Sequence, residues 1–411
     1  MAGRLKFPEG FLWGTASAAH QVEGDNRNSD WWQLELEPGR IRDGDTSLVA
    51  CDHYRRFRED FGLIRELNNN AHRLSIEWAR IEPRPGEFDA EQIEHYREVL
   101  TALRQLGIAP MLTLHHFTSP LWFARRGGWA SVEAPAAFER YVRRVADELG
   151  ELVDLWCTIN EPNIYAAQGW FNGEFPPAHH GDLPGYYRVL KHMRLAHERA
   201  YRVLHARTPE RPVGLSFHKF LMLPASRRDS DVGAAMVAQM FIDRWPAGLR
   251  TEPIVAGLAD YVGIAHYWAQ VCTFNPRRPQ DAFIRRENVP GAIPTDMGWT
   301  SDPAWLRPVL NELRDLGKPV YVTENGISTG DDGVRQEYLT AALRSVHGAI
   351  EDGVDVRGYF HWTLLDNFEW AHGYAQKFGL VAVDRSTLER TVKKSGRVYA
   401  EIAGSNSVPA A

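Results

Sequence analysis

Cysteine is scarce. Cys51, Cys157 and Cys272 are the only three, odd in number and far apart. That argues against a disulfide framework and leads us to expect a reducing, cytoplasmic setting. Cys157 lies in an apolar run and is expected to pack rather than react. Long apolar runs are missing as well, and none reaches the roughly 20 residues needed to cross a bilayer. The first residues, Met1-Ala2-Gly3-Arg4-Leu5-Lys6-Phe7-Pro8, carry charge but no apolar core or small-residue cleavage site, so they do not read as a secretory signal. Basic runs are also lacking. The formal net charge is -6, which gives no support for nucleic acid or an anionic membrane as partner. There is no linker, low-complexity tract or repeat of solenoid period. Residues 1–411 are therefore read as one domain, with its core at about 7–403.

What is present is globular, at 44% hydrophobic and 24% charged residues. The 14 Trp, 14 Tyr and 18 Phe include several beside carboxylates and amides. Such neighbours suit sugar rings, but composition alone favours the plainer reading of an aromatic core. Short apolar runs predict strands at 11–16, 71–75, 109–114, 155–159, 213–217, 261–265, 320–323 and 358–362. Helical spacing predicts helices at 54–67, 93–106, 138–149, 190–207, 231–241, 305–316 and 336–351. Gly107, Gly150, Gly317 and Gly353 follow helices as expected C-caps. Strand–helix alternation implies a parallel sheet, and eight repeats predict an α/β fold of the (β/α)8 TIM barrel type. A doubly wound open sheet gives the same local pattern. No Gly-x-Gly-x-x-Gly follows the first strand, which lowers that alternative.

A barrel gathers functional residues at the C-terminal ends of its strands. The unusual polar residues fall there: Gln21 and Glu23 after the first strand, Arg73 in the second, and His115 and His116 after the third. Asn160 and Glu161 follow the fourth, His266 and Tyr267 the sixth, Glu324 and Asn325 the seventh, and Asp366 and Glu369 the eighth. In Thr158-Ile159-Asn160-Glu161-Pro162, a carboxyl held partly desolvated at a barrel mouth is expected to rise above the reference of about 4.3 and keep a proton for a leaving group. Thr323-Glu324-Asn325-Gly326 supplies a second Glu. Such a pair is what glycoside cleavage needs; in retaining enzymes the two lie roughly 5–5.5 Å apart, one as nucleophile and one as acid, then base. Arg73 and Tyr267 are expected to hold Glu324 ionised while Glu161 stays protonated.

These residues carry a resemblance. Phe11-Leu12-Trp13-Gly14-Thr15-Ala16, Gln21-Val22-Glu23-Gly24, Cys51-Asp52-His53-Tyr54 and His72-Arg73-Leu74-Ser75-Ile76-Glu77-Trp78 precede the two Glu motifs. Trp362-Thr363-Leu364-Leu365-Asp366-Asn367-Phe368-Glu369-Trp370 closes the series. From about 7 to 403 the chain resembles glycoside hydrolase family 1, the β-glucosidase family. The resemblance implies Glu161 as acid/base and Glu324 as nucleophile. It implies Asn160 at the sugar 2-hydroxyl, Gln21, His116 and Glu369 at other hydroxyls, and Trp362 and Trp370 as glycone tryptophans. It further implies Tyr267 touching the nucleophile and Trp299 walling the aglycone site. The expected substrates are β-linked glucosides or short oligosaccharides, with galactosides and fucosides open. No cofactor or metal is expected: His115-His116 and His179-His180 lack a companion ligand set. His53 and His72 read as structural. Family members acting on 6-phosphoglycosides usually replace the Glu at position 369, which here would repel a phosphate. Lys377 reads as a solvated loop lysine, so non-phosphorylated substrates are expected.

Three departures stand out. Ala265 replaces a family Asn that helps position the acid/base, leaving that role vacant or passed to His266. Phe117 replaces a Trp and loses an indole donor near the sugar 3-hydroxyl. The chain is also short for the family, implying trimmed loops and a more open aglycone cleft. Transglycosylation and a catalytically silent sugar-binding role are the alternatives. A barrel aldolase or isomerase would want a strand-end Lys or a metal set, and neither is found.

Overall fold

The computed structural model describes residues 3–240, 257–278 and 282–410. Each of the eight predicted apolar runs forms a strand: β1 (Leu12–Ala16), β2 (Ala71–Ser75), β3 (Ala109–Thr113), β4 (Leu155–Asn160), β5 (Val213–His218), β6 (Tyr261–Ala265), β7 (Val320–Asn325) and β8 (Val356–Trp362). All pair in parallel, β1 to β8 in chain order, and β8 pairs back onto β1 to close the barrel. Strands covered on both faces need apolar residues at nearly every position, so they read as continuous runs rather than alternating ones. β2, β4, β5, β6 and β7 are buried along their whole length.

Helices wrap the outside: α1 (His53–Glu66), α2 (Ala90–Gln105), α3 (Ala134–Leu149), α4 (Leu183–Arg207), α5 (Asp229–Gln239), α6 (Leu306–Asn311), α7 (Asp332–Glu351) and α8 (Lys394–Ser405). In α3 the stripe Phe138, Tyr141, Val142, Val145 and Leu149 is buried at helical spacing. Asp89 starts α2 by accepting from the backbone N–H of Glu91 and Gln92. Gly107, Gly317 and Gly353 have positive φ, as helix ends require, whereas Gly150 (φ -60°) stays right-handed and leads into a 3-10 turn.

Two expectations need correction. The helix at 305–316 is three short pieces, with a 3-10 turn on each side of α6, because i to i−3 bonds such as Leu313 N–H to Leu310 tighten its end. The helix expected at 231–241 is α5, starting two residues earlier; its expected end at Phe241 lies outside the described residues. That helix covers a small sheet of Leu221–Pro224, Ala269–Phe274 and Ile284–Asn288. Phe220, Met222, Cys272 and Ile284 form its separate apolar cluster beside the barrel mouth. Far from the mouth, Arg4–Lys6 pairs antiparallel with Ser407–Pro409, carrying ordered structure past the expected core limits of 7 and 403.

Candidate active site

A cavity of about 830 Å³ opens at the C-terminal ends of the strands. His116, Glu161, Tyr267, Trp299, Glu324, Trp362, Glu369 and Trp370 line it. Arg73, Asn160 and Gln21 are buried behind them and hydrogen-bonded to the lining. The eleven predicted residues therefore form one connected site.

The strands carrying the two central carboxyls depart from regular pairing just there. Register shifts fall between Cys157 and Asn160 on β4 and between Val322 and Glu324 on β7. Such irregularities re-aim side chains at a barrel rim. Glu161 has φ 39°, and Phe117 and Trp370, which share the cavity, have φ 70° and 50°. Left-handed backbone at non-glycine residues is strained and gathers at functional sites. Gly326 explains the end of its motif: a Cβ there would meet the Trp362 carbonyl at 2.1 Å.

Glu324 accepts hydrogen bonds on both oxygens, from Arg73 Nη1 on Oε1 and from the Tyr267 hydroxyl at 2.9 Å on Oε2. Burial pushes its carboxyl up, Arg73 pulls it down, and Glu161 adds repulsion, leaving it above the ordinary carboxylate range. Arg73 and Tyr267 are thus the partners expected of them, yet desolvation outweighs their pull. Arg73 Nη2 donates to Asn160 Oδ1 at 2.6 Å. A guanidinium only donates, so the Asn160 oxygen faces it and the amide nitrogen faces His116 Nε2 at 3.2 Å. That nitrogen accepts, which leaves the His116 proton on Nδ1. His116 Nδ1 is buried without a protein partner, as is Gln21 Oε1. Burial holds the His116 imidazole neutral, far below its ordinary value, with nearby Arg73 adding to the effect. A neutral N–H donor and an amide acceptor, both unsatisfied, are suited to hydroxyl groups. Glu369 accepts from Gln21 at 3.2 Å, and burial together with Glu324 pushes it up to about 8. The His116 ring is nearly parallel to those of Trp362 and Trp370, with ring centroids at 5.8 and 6.2 Å.

Not every strand-end polar residue joins the site. Glu23 turns to Arg80 and Tyr96, His115 to Trp129, Asp366 to Lys393, and Asn325 to Tyr359 and the His266 carbonyl. These residues brace the loops. His53 bonds the buried Asp60 and His72 bonds Thr15, in keeping with structural roles. His266 does not take over from the missing Asn. Its Nδ1 bonds the Lys219 carbonyl at 2.8 Å, and burial lowers it to about 4. The residue beside Glu161 is His218, Nδ1 to Oε1 at 2.9 Å, which the strand reading overlooked by ending at 217. Trp268, stacked on Trp299 at 6.0 Å, was also missed, as were the cavity residues Ile164, Phe220 and Met297.

The family model for glycosyl hydrolase family 1 matches residues 4–256 and 249–408. The chain belongs to glycosyl hydrolase family 1. It is 33% identical to Beta-glucosidase A of Thermotoga maritima, over 98% of this chain and 99% of that protein. That alignment runs to 447 positions, more than the 411 residues here, so the relative carries segments this chain lacks. It is 34% identical to the bifunctional beta-D-glucosidase/beta-D-fucosidase of Bifidobacterium breve, over 95% and 96% of the two chains. Among solved structures, the Thermotoga maritima family 1 glycoside hydrolase complexed with a cyclophellitol analogue transition state mimic superposes with a TM-score of 0.93 at 32% identity, covering 98% and 99%.

Proposed function

We propose that this chain is a retaining β-glycosidase that removes terminal, non-phosphorylated β-D-glucosyl groups, and also β-fucosyl or β-galactosyl groups, from small glycosides. The observation that carries the reading is the pair of buried carboxyls on one cavity, each with a different neighbour. Glu324 is held by a guanidinium and a phenol, and Glu161 by an imidazole. Two carboxyls in unlike surroundings can divide the work of nucleophile and acid.

In the first step the Glu324 carboxylate attacks the anomeric carbon while Glu161 gives its proton to the departing oxygen. The product is a glycosyl ester on Glu324 and a free alcohol. With Glu324 now neutral, the repulsion between the two groups is gone, and Glu161 takes a proton from water as that water opens the ester. Asn160, aligned by Arg73, is assigned to the sugar 2-hydroxyl. Gln21, His116 and Glu369 are assigned to the remaining hydroxyls, Trp362 and Trp370 to the glycone wall, and Trp299 to the aglycone side. The family relatives named as glucosidase and glucosidase/fucosidase support this substrate class. Glu369 on the cavity speaks against a phosphorylated sugar, and Lys377 is not among the lining residues. We assign the activity to residues 1–411 acting as one domain, and a cytoplasmic setting is supported by three buried, unpaired cysteines. Among the described residues no helix is long and apolar enough to cross a membrane.

The test is release of 4-nitrophenol from 4-nitrophenyl β-D-glucoside, with the α-anomer and the 6-phosphate in parallel. Glu324→Ala should reduce release to background. Added azide should then give an α-glucosyl azide, by direct displacement from the face that Glu324 served. In Glu161→Ala, azide should trap the ester from the opposite face and give the β-azide. Release from the 6-phosphate alone, or exchanged azide products, would overturn the assignment.

A further inference from the structure

A carboxyl that delivers and then recovers one proton needs a fixed direction as well as a suitable acidity. Glu161 sits at a left-handed turn between β4 and a short helix, and its side chain is free to turn about its χ dihedrals unless something holds it. One side-chain contact does hold it: Nδ1 of His218 lies 2.9 Å from Oε1. Both side chains are about 6% exposed.

His218 is itself well fixed. It ends β5, and its backbone partner across to β6 is Ala265. Ala265 brings only a methyl group to that register position. The His218 carbonyl accepts from Asn163 Nδ2 at 2.9 Å, which ties β5 to the helix that follows Glu161. Phe220 packs on the ring at 4.4 Å between centroids, and Tyr267 lies nearly parallel at 5.8 Å. His266, the other imidazole nearby, is committed to the Lys219 carbonyl.

We infer that His218 is the positioning residue for Glu161, donating from Nδ1–H to Oε1 so that Oε2 carries the proton toward the glycosidic oxygen. This rests on the assignment of Glu161 as acid/base. The tautomer follows from the chemistry. A carboxylate only accepts, so the contact survives the deprotonated stage only if Nδ1 bears the hydrogen. The same bond then serves both stages. With Glu161 protonated, Oε1 accepts as the carbonyl oxygen and the acid proton is kept on Oε2. With Glu161 ionised, Oε1 accepts as carboxylate, and Oε2 is left to receive the proton from water.

The test uses His218→Leu, which keeps apolar volume against Phe220 and Tyr267, and His218→Asn, whose amide nitrogen occupies the place of Nδ1. Substrates are 2,4-dinitrophenyl β-D-glucoside, whose leaving group departs without a proton, and methyl β-D-glucoside, whose leaving group does not. The expected loss of kcat/KM in His218→Leu is roughly 30-fold or more on the methyl glucoside and under about threefold on the dinitrophenyl substrate. On the latter, kcat and KM should fall together, because opening of the ester also needs Glu161. His218→Asn should recover most of the loss. An equal loss on both substrates, no loss on either, or no recovery with Asn would overturn the inference. If the wild-type protein cleaves neither glucoside, the assignment of the site itself fails instead.

Discussion

At the scale of single residues, Glu369 shows the tension between binding and stability. Burial raises it to about 8, so the folded protein holds a proton there that the unfolded chain releases near the ordinary glutamate value of 4.5. Between those values the folded state binds more protons, and stability falls as pH rises, levelling off above 8. Glu369→Gln removes that penalty. The variant should melt about 2–4 °C above wild type at pH 8 and close to it at pH 5, by calorimetry at both pH values. Its kcat/KM on glucosides should drop about 10–100-fold, since one of the two carboxyl oxygens facing the sugar hydroxyls becomes an amide nitrogen. A melting gap that is larger at pH 5 would sink the argument. The pair Glu161 and Glu324, with Arg73 and Tyr267, was legible in the sequence because Glu161, Glu324 and Tyr267 stand at or just past strand ends and Arg73 is an unusual charge inside a strand. His218 was not. Its meaning lies in the pairing of β5 with β6 opposite Ala265, and a linear string holds no cross-strand distance.

At the scale of elements, β7 and β8 meet closely where the site is built. The Tyr359 hydroxyl donates to Asn325 Oδ1 at 3.0 Å, and Gly326 lies against the Trp362 carbonyl. Gly326→Ala should force these strand ends apart. The expected cost is roughly 1–3 kcal/mol in urea unfolding, with a matching fall in kcat because Glu324 is two residues away. Unchanged unfolding and turnover would show that the contact yields freely. The barrel strands were readable because both faces are buried and most of the runs are apolar or β-branched, β2 with His72, Arg73 and Ser75 being the exception. The small sheet beside the mouth was missed for the opposite reason. In Ile284–Asn288 only the first residue is buried and the rest are exposed, so the segment carries no strand signal. Its antiparallel partner Ala269–Phe274 is near in the chain, but that strand is completed on its other side by the distant Leu221–Pro224.

At the scale of the whole molecule, the cavity is two-faced. Its depth holds carboxyls, an imidazole and tryptophans, and its outer part carries Ile164, Phe171, Phe220, Met297 and Trp299. Apolar burial is worth about 0.8 kcal/mol per methylene when complete. Along n-alkyl β-D-glucosides from methyl to hexyl the leaving group keeps nearly the same chemistry. There kcat/KM should rise by about tenfold or more, mostly through KM. Ile164→Asn should flatten the series, and a flat series in the wild type would refute an apolar aglycone site.

The pairing of Arg4–Lys6 with Ser407–Pro409 has a practical side. These two segments lie side by side at the floor of the barrel, while the cavity opens at the rim. An anchor attached at either end would fasten the protein to a bead or a scaffold with its opening turned toward the liquid. Two such anchors would pull on one small patch and leave the catalytic rim unloaded.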